Sequence, residues 1–256
     1  MAATVDIVVP VYNEEQALPR SILILSDFLK ANLTNPWQVI IADNASTDGT
    51  RRVAEQLARK YAGVHYLYLP QKGRGRALRT AWLQSTAGIV CYMDADLSTE
   101  LVHLPQLIQC LEAGYDIAIG SRLSPDSKVT RSFRREVISR VYNRLIRAMF
   151  FTSFEDAQCG FKALTRQAAQ AIIPQVKNNN WFFDTELLVI AAKGGYRIAP
   201  VPVRWLDDPT STVRVFRTAT EDLKGLLRLR LGGVPKVEPP PHKSPSNDPA
   251  GQAARS

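Results

Sequence analysis

Two aspartates, Asp94 and Asp96, follow the apolar run "IVCYM" with a single alanine between them, and Ser98 continues the same spacing. Alternate side chains of an extended chain share a face, so these three oxygen-bearing groups would point to one side at a strand end. Hard carboxylate oxygens suit Mg²⁺ or Mn²⁺, and Mg²⁺ is ordinarily held by one or two carboxylates while substrate phosphates supply further oxygens. A turn in which both acids cap the next helix is the alternative, and taken alone so short a pattern reads more readily that way.

The acids need elements that position them. The runs "VDIVVPV", "WQVIIAD", "VHYLYL", "IVCYM" and "YDIAIG" are short, apolar and rich in β-branched residues, and helical stretches at 17–29, 51–61, 75–85 and 101–112 fall between them. Buried strands alternating with helices predict an α/β domain with a doubly wound, mostly parallel central sheet and helices on both faces. In such sheets ligands bind outside the carboxyl ends of the strands, where Asp94 and Asp96 fall.

After Gly120 arginines gather. Val137, Ile138, Val141, Tyr142, Leu145, Ile146 and Met149 recur at helical spacing with Arg140, Arg144 and Arg147 on another face, which predicts a basic amphipathic helix over 136–150. A weaker one is predicted over 218–231, where Leu223, Leu226, Leu227 and Leu231 stand against Lys224, Arg228 and Arg230. The chain reads as a single domain over 1–233 with a disordered, Pro-rich C-terminal tail over 234–256.

Composition narrows the partners. Of the 256 residues 45% are hydrophobic and 22% charged, as in ordinary globular proteins. Lys and Arg number 32 against 24 Asp and Glu, and the resulting +8 calls for an anionic partner: nucleotide phosphate, nucleic acid or an acidic membrane surface. Cys91, Cys110 and Cys159 have no paired or metal-ligand spacing, which fits reduced thiols in a cytosolic compartment. No leader pattern opens the chain and no apolar run approaches the ~20 residues needed to span a bilayer, so secretion is not expected and membrane contact is expected to be peripheral.

The acids are one of several motifs in order. "VVPVYNEE" after the first strand, "IADNASTDGT" after the second, "KGRGRALR" before a helix and "MDADLS" together resemble the family 2 glycosyltransferases with the GT-A fold. "GSRL", "DAQCGFKALT" and "WFFDTELL" narrow the resemblance to the polyprenyl-phosphate hexose synthases, in particular the dolichyl-phosphate glucosyltransferases. It runs from about Val5 to Trp205.

This resemblance implies a nucleotide-sugar pocket lined by Pro10, Tyr12, Asn13 and Glu14, with Asp43 reading the base edge and Lys72 and Arg79 near the nucleotide. Asp94, Ala95 and Asp96 are then expected at the diphosphate, and Asp94 and Asp96 with Ser98 at a divalent cation, Mg²⁺ or Mn²⁺. Ser98 stands where relatives often carry Gln, so its short side chain would reach the metal directly or through water. Arg122, Asp156 and Gln158 match the reaction centre, and Arg122 with Arg131, Arg134 and Arg135 is expected to grip an acceptor phosphate. Asp184 and Glu186 are weaker candidates, because acids at a helix start are equally explained by the helix dipole. Singly, Glu14 also reads as a helix start, Asp43 as a turn cap, and Lys72 and Arg79 as surface charges.

The implied reaction is inverting transfer of a hexose, glucose favoured, from a nucleotide sugar, a UDP-sugar favoured, to polyprenyl phosphate on the cytoplasmic face of a membrane. Breaking the sugar–diphosphate bond builds positive charge at the anomeric carbon and negative charge on the leaving group, which a metal stabilises as a Lewis acid. A phosphate monoester with its second pKa of about 6 is already largely ionised at neutral pH, so the acceptor needs arginines to position it more than a base. The expected partners are a nucleotide sugar, a polyprenyl phosphate and a membrane surface, reached peripherally through the 136–150 helix or through a separate membrane protein.

Mannosyl or N-acetylhexosaminyl transfer to the same lipid, and sugar transfer to a non-lipid acceptor, are the alternative activities. A basic nucleic-acid-binding protein is a third, but it leaves the ordered acidic loops unexplained and lacks a recognisable motif, so nucleic acid is not an expected partner. No G-x-G-x-x-G follows the first strand, which argues against a dinucleotide-dependent dehydrogenase. Processive synthases carry Q-x-x-R-W; Val201 stands at the Gln position ahead of Trp205, which argues against a polymerase.

Overall fold

The computed structural model describes residues 2–130, 132–206 and 215–240. Its strands are β1 (Val5–Val11), β2 (Trp37–Asn44), β3 (Val64–Leu69), β4 (Ile89–Met93), β5 (Ile117–Ser121), β6 (Lys128–Thr130), β7 (Phe161–Thr165), β8 (Ile198–Pro202) and β9 (Arg204–Leu206). The helices are α1 (Leu18–Asn32), α2 (Thr50–Lys60), α3 (Arg74–Gln84), α4 (Leu104–Glu112), α5 (Phe133–Phe150), α6 (Arg166–Ile172), α7 (Phe183–Lys193) and α8 (Val215–Gly232).

Seven strands form one sheet in the order β3-β2-β1-β4-β7-β5-β8. Every pairing in it is parallel except those of β7, which runs antiparallel to both β4 and β5. Alternation along the strands divides the core in two, as the strand period requires. Ile7, Val9 and Cys91 face Ile22 and Leu25 of α1, Leu57 of α2 and Leu107 of α4. Val8, Val90 and Tyr92 face Leu78 and Trp82 of α3 and Leu188 of α7 on the other side. Each fully buried Leu or Ile contributes roughly 2 kcal/mol of transfer free energy, so both layers hold the sheet flat against its helices.

The reversal of β7 matters for the crevice. Phe161 at its start pairs with Met93 at the end of β4, so the segment leading into β7 arrives beside Asp94. The small sheet of β6 and β9 closes the same edge: the Leu206 N–H donates to the Ser98 carbonyl at 2.9 Å and the Glu100 N–H to the Arg204 carbonyl at 3.1 Å.

The apolar set predicted on α5 is divided. Ile146 and Phe150 are buried with Tyr142 and Met149 against them, whereas Val137, Ile138, Val141 and Leu145 are exposed. The reason is that Ser139 and Asn143 take the inward positions of the first turns, where Asn143 accepts from the Ala157 N–H at 2.9 Å. On α8, Leu226 and Leu229 are buried while Leu223, Leu227 and Leu231 are exposed. Residues 234–240, expected to begin a disordered tail, form neither helix nor strand but lie on the domain: Val234 and Val237 pack against the core, and the Tyr196 hydroxyl donates to the Glu238 carbonyl at 2.8 Å. Residues 241–256 lie outside the described residues. Among the described residues no helix is long and apolar enough to cross a membrane.

Candidate active site

The loops after β1 and β2 are stitched together. Asn13 has φ 58, a left-handed conformation that Asn tolerates better than most residues. Its N–H donates to Ser46 Oγ at 3.0 Å and its Oδ1 accepts from the Thr47 N–H at 2.8 Å. The Glu14 N–H donates to Thr50 Oγ1 at 2.7 Å, and Glu15 Oε2 accepts from the Gly49 N–H at 2.7 Å. Asp43 is fully buried beneath this rim, with Oδ1 accepting from the Ser46 N–H and Oδ2 from the Tyr66 hydroxyl, both at 2.9 Å. A carboxylate oxygen has a second lone pair, so Asp43 can take one more donor from a ligand while it fastens the loop.

Of the basic residues expected near the nucleotide, Lys72 is at this rim, its ammonium 3.2 Å from the centroid of the Tyr12 ring. Pro10 and Tyr12 are half-buried beside it. Arg79 is engaged elsewhere: its Nη2 donates to the carbonyls of Val176 and Asn178, so its charge fastens the 176–178 segment and is not offered to the rim.

Asp94 and Asp96 lie in a turn, but neither side chain caps the helices that follow. A turn is present, with Leu97 at φ 52, the Leu97 N–H donating to the Asp94 carbonyl at 3.1 Å and the Ser98 N–H to Asp96 Oδ1 at 3.0 Å. Yet both acids also line a small cleft with Met93, Leu97, Ser98, Thr99 and Gly160. Ala95 between them is buried. The Asp94 carboxylate lies directly on Gly160, where a Cβ would come within 1.7 Å of Oδ2. Only glycine leaves room for the acid there.

A buried ionic network supports Asp94 from below. Arg74 Nη2 is 2.6 Å from Asp94 Oδ1 and its Nη1 is 2.6 Å from Asp184 Oδ2, with the guanidinium 5.0 Å from the ring centroids of both Tyr92 and Trp181. Lys162, fully buried, lies 2.9 Å from Asp184 Oδ1 and donates to Tyr92 Oη at 3.2 Å and to the Cys159 carbonyl. The Tyr92 hydroxyl donates to Asp184 in turn. Burial alone would raise the Asp184 pKa, but Lys162 and Arg74 outweigh it and hold the carboxyl below its ordinary value. Burial likewise opposes the Arg74 charge, and Asp94, Tyr92 and Asp184 overcome it, leaving that guanidinium well above its ordinary value. Asp184 is thus more than a helix-dipole acid. Glu186, also fully buried, instead pairs with Arg228 of α8 at 2.8 Å.

Across the cleft Arg122 and Asp156 form a second pair. Asp156 is fully buried and accepts three hydrogen bonds from Arg122: from its N–H at 3.0 Å, Nε at 2.8 Å and Nη2 at 2.9 Å. Burial pushes the Asp156 pKa up, and the guanidinium charge with these bonds more than reverses the shift, holding it below its ordinary value. Arg122 also lies 5.4 Å from the Trp205 ring centroid. Its fork is therefore clamped in one orientation. Gln158 donates from Nε2 to Asp222 Oδ2 at 2.9 Å. Arg134 is exposed and Arg135 half-buried in the first turn of α5, while Arg131 lies outside the described residues.

Lys162, Tyr92 and Asp222 were not expected at the site, and Arg74 only as one of the glycine-loop arginines suited to phosphate. A lysine inside the apolar strand run "GFKALT" was the available signal for Lys162, and the arginine-rich glycine loop for Arg74. No group of three or more His, Cys, Asp and Glu side chains suited to a metal occurs among the described residues. Two hard carboxylates at the cleft fit a divalent cation only if phosphate oxygens or water complete its shell, with Asp94 leaving or sharing Arg74.

The sequence model of the family described as "Glycosyl transferase family 2" matches residues 6–173. The chain belongs to that family. Two relatives of this glycosyltransferase are glycosyltransferase AglD of Haloferax volcanii and a dolichyl-phosphate beta-glucosyltransferase of Mus musculus. AglD is 37% identical over 204 residues, 78% of this chain and 33% of its own length, so the chain spans about a third of that protein. The mouse protein is 32% identical over 241 residues, 88% of this chain and 74% of its own. The fold matches glucosyl-3-phosphoglycerate synthase from Mycobacterium tuberculosis in complex with Mn²⁺, uridine diphosphate and phosphoglyceric acid. That likeness has a TM-score of 0.67 at 19% identity and covers 90% of this chain and 79% of the other. The glycosyltransferase therefore has a GT-A fold, with its mostly parallel sheet flanked by helices as the strand alternation predicts.

Proposed function

We propose that this glycosyltransferase moves a hexose, with glucose favoured, from a nucleotide sugar, with a UDP-sugar favoured, to a polyprenyl phosphate, with inversion at the anomeric carbon. One observation carries the reading: Asp94 and Asp96 lie at the end of β4 between the stitched β1 and β2 loops and the clamped Arg122–Asp156 pair. Its acceptor rests on the mouse relative, which is named for dolichyl phosphate and matches over most of its length.

The β1 and β2 loops would hold the nucleoside, with Asp43 accepting from the base and Lys72 near the phosphates. Asp94 and Asp96 would hold a Mg²⁺ or Mn²⁺ ion, which supplies Lewis-acid stabilisation of the departing diphosphate. Arg74 adds positive charge on the protein side of Asp94. Arg122, its fork fixed by Asp156, offers its remaining Nη N–H groups to the acceptor phosphate at no further ordering cost. The acceptor arrives ionised, so Asp156 and Asp184 act by holding cations in place and no base is required of them.

The membrane is addressed by α5 and α8. These helices touch each other, and between them they expose Val137, Ile138, Val141, Leu145, Leu223, Leu227 and Leu231 beside the exposed Arg134, Arg140, Arg144 and Arg147. Apolar side chains interleaved with arginines fit the interface of an anionic leaflet. We place the chain there as a peripheral protein on the cytoplasmic face, alone or recruited by a separate membrane protein.

The deciding experiment incubates the protein with UDP- and GDP-sugars, Mg²⁺ or Mn²⁺ and a polyprenyl phosphate in lipid, and weighs the lipid product. A hexosyl-phosphoryl lipid from UDP-glucose is expected. No glycolipid from any donor, with membranes supplied, overturns the reading; product from GDP-mannose alone would replace the sugar and nucleotide assignment.

A further inference from the structure

α8 carries one buried acid, bonded to Gln158, that the chemistry above leaves unused. Asp222 is 3% exposed; Oδ2 accepts from Gln158 Nε2 at 2.9 Å, and Oδ1 is buried without a hydrogen-bond partner. Every element packed around it contributes a group. Tyr142 of α5 turns its hydroxyl towards the carboxyl while lying 3.0 Å from Thr185 Oγ1 of α7; Asp184 of α7 and Glu221 of α8 add negative charge. Asp156 and Asp184 each lie against a cation, but the neighbours of Asp222 are an amide, a hydroxyl and two further acids. Burial first, then Glu221, pushes its pKa up to about 7.

Gln158 is the link to the site. Its N–H donates to Asp156 Oδ1 at 3.3 Å, and two residues on, Gly160 underlies the Asp94 carboxylate. A primary amide has a donor end and an acceptor end, so fixing one end sets what the other presents.

We propose that Asp222 is a positioning residue: its carboxylate holds the Gln158 amide by Nε2, so that Oε1 is presented as a hydrogen-bond acceptor beside the Asp94 and Arg122 groups. Protonation of Asp222 at the unpartnered Oδ1 leaves Oδ2 a neutral acceptor, so the bond to Gln158 Nε2 loses its charge assistance and the amide is held less firmly. The ligand group that meets Oε1 must carry an O–H or N–H; in a hexosyltransferase that is a hydroxyl of the transferred sugar, and this last step rests on the proposed function. The amide is then held more firmly above the Asp222 pKa than below it.

The test reads the amide itself. The ¹H–¹⁵N signals of the Gln158 side-chain NH₂, identified by their loss in Gln158→Leu, should move with a midpoint near pH 7 in the wild type. They should stay fixed in Asp222→Asn and titrate again in Asp222→Glu. The kcat for transfer should rise through the same midpoint in the wild type, whereas Asp222→Asn should show a flat profile and a kcat lowered about tenfold, the scale of one hydrogen bond, with the donor KM little changed. A Gln158 signal that does not titrate, or that titrates equally in Asp222→Asn, overturns the proposal. The NMR arm needs no substrate, so it decides the positioning even if no donor is turned over. If Asp222→Asn fails to fold, the wild-type titration and the Asp222→Glu variant decide it.

Discussion

Arg74 holds Asp94 through a 2.6 Å contact between Nη2 and Oδ1, and the same guanidinium holds Asp184. The acid at the head of the D-x-D pattern is thus already paired with a cation belonging to the protein. A divalent ion that binds there competes with that pair. Arg74→Gln is expected to tighten Mn²⁺ binding in the absence of nucleotide about fivefold, on the order of 1 kcal/mol, as followed by the Mn²⁺ paramagnetic signal. The same change should cost about 3 kcal/mol of stability, because buried Asp184 loses one of its two cations. Unchanged or weaker metal binding by the folded variant would show that Arg74 supports the cation site and does not compete with it.

Gly160 offers a cleaner perturbation, because it carries no functional group of its own. Alanine there places a Cβ 1.7 Å from Asp94 Oδ2, so the carboxylate must move. Gly160→Ala is expected to lower turnover at least tenfold with the helices intact by circular dichroism. Gly232→Ala, where a Cβ meets nothing within 4 Å, should behave as the wild type. Full activity in Gly160→Ala would mean that the position of Asp94 is not critical.

The buried acids predict two opposite pH dependences of stability. For Asp156 the folded pKa lies below the ordinary value of 3.8. Its contribution is therefore present above about pH 4 and is lost as pH falls through the folded value. Asp156→Asn should cost about 3 kcal/mol at pH 7, since Arg122 is left buried without its carboxylate, and the deficit should shrink in urea titrations below pH 4. Asp222 has the reverse sign: with a folded pKa near 7, the native state holds a proton that the unfolded chain releases at about 4, so stability declines as pH rises between the two. Asp222→Asn should then melt higher than the wild type at pH 8 and nearly level with it at about pH 4. A lower melting temperature for Asp222→Asn at pH 8 would show that ionised Asp222 is net stabilising.

Reversal of three exposed arginines tests the membrane face. Arg140→Glu, Arg144→Glu and Arg147→Glu combined should abolish sedimentation with anionic vesicles, each basic residue near such a surface being worth about 1 kcal/mol. Leu223→Ser with Leu227→Ser should weaken binding to the same vesicles even at high salt, where charge is screened. Binding unchanged in both variants would remove α5 and α8 as the contact surface.

Much of the first half of the fold was legible in the sequence, because each apolar run there is followed closely by its own helix. β7 was not: five residues, "FKALT", carry a lysine at a buried position, and the carboxylate and hydroxyl that meet its charge, Asp184 and Tyr92, are remote in sequence. The acids at 94 and 96 stood out by their spacing but took a site role only from the ordered motifs around them, whereas Arg74 was one of several arginines in a glycine loop suited to phosphate. Arg79 was expected near the nucleotide from the family resemblance, and no local pattern reveals that its side chain takes the face of α3 turned to the 176–178 segment. Asp222 gave no local signal at all; an acid in the middle of a leucine-rich helix is ordinary until the partner across the cleft is known.

The reversed strand β7 also sets an order of assembly. β1 to β4 can pair through successive strand–helix–strand units, but β5 reaches the sheet only through β7, which follows it in the chain. Nearby pairings form faster than distant ones. The half of the crevice carrying Tyr12, Asp43 and Asp94 is therefore able to form while the chain beyond Asp96 is still being made, exposing the open edge of β4 until β7 covers it. That edge is the place where a slowly folding or truncated chain would first pair with a second copy of itself.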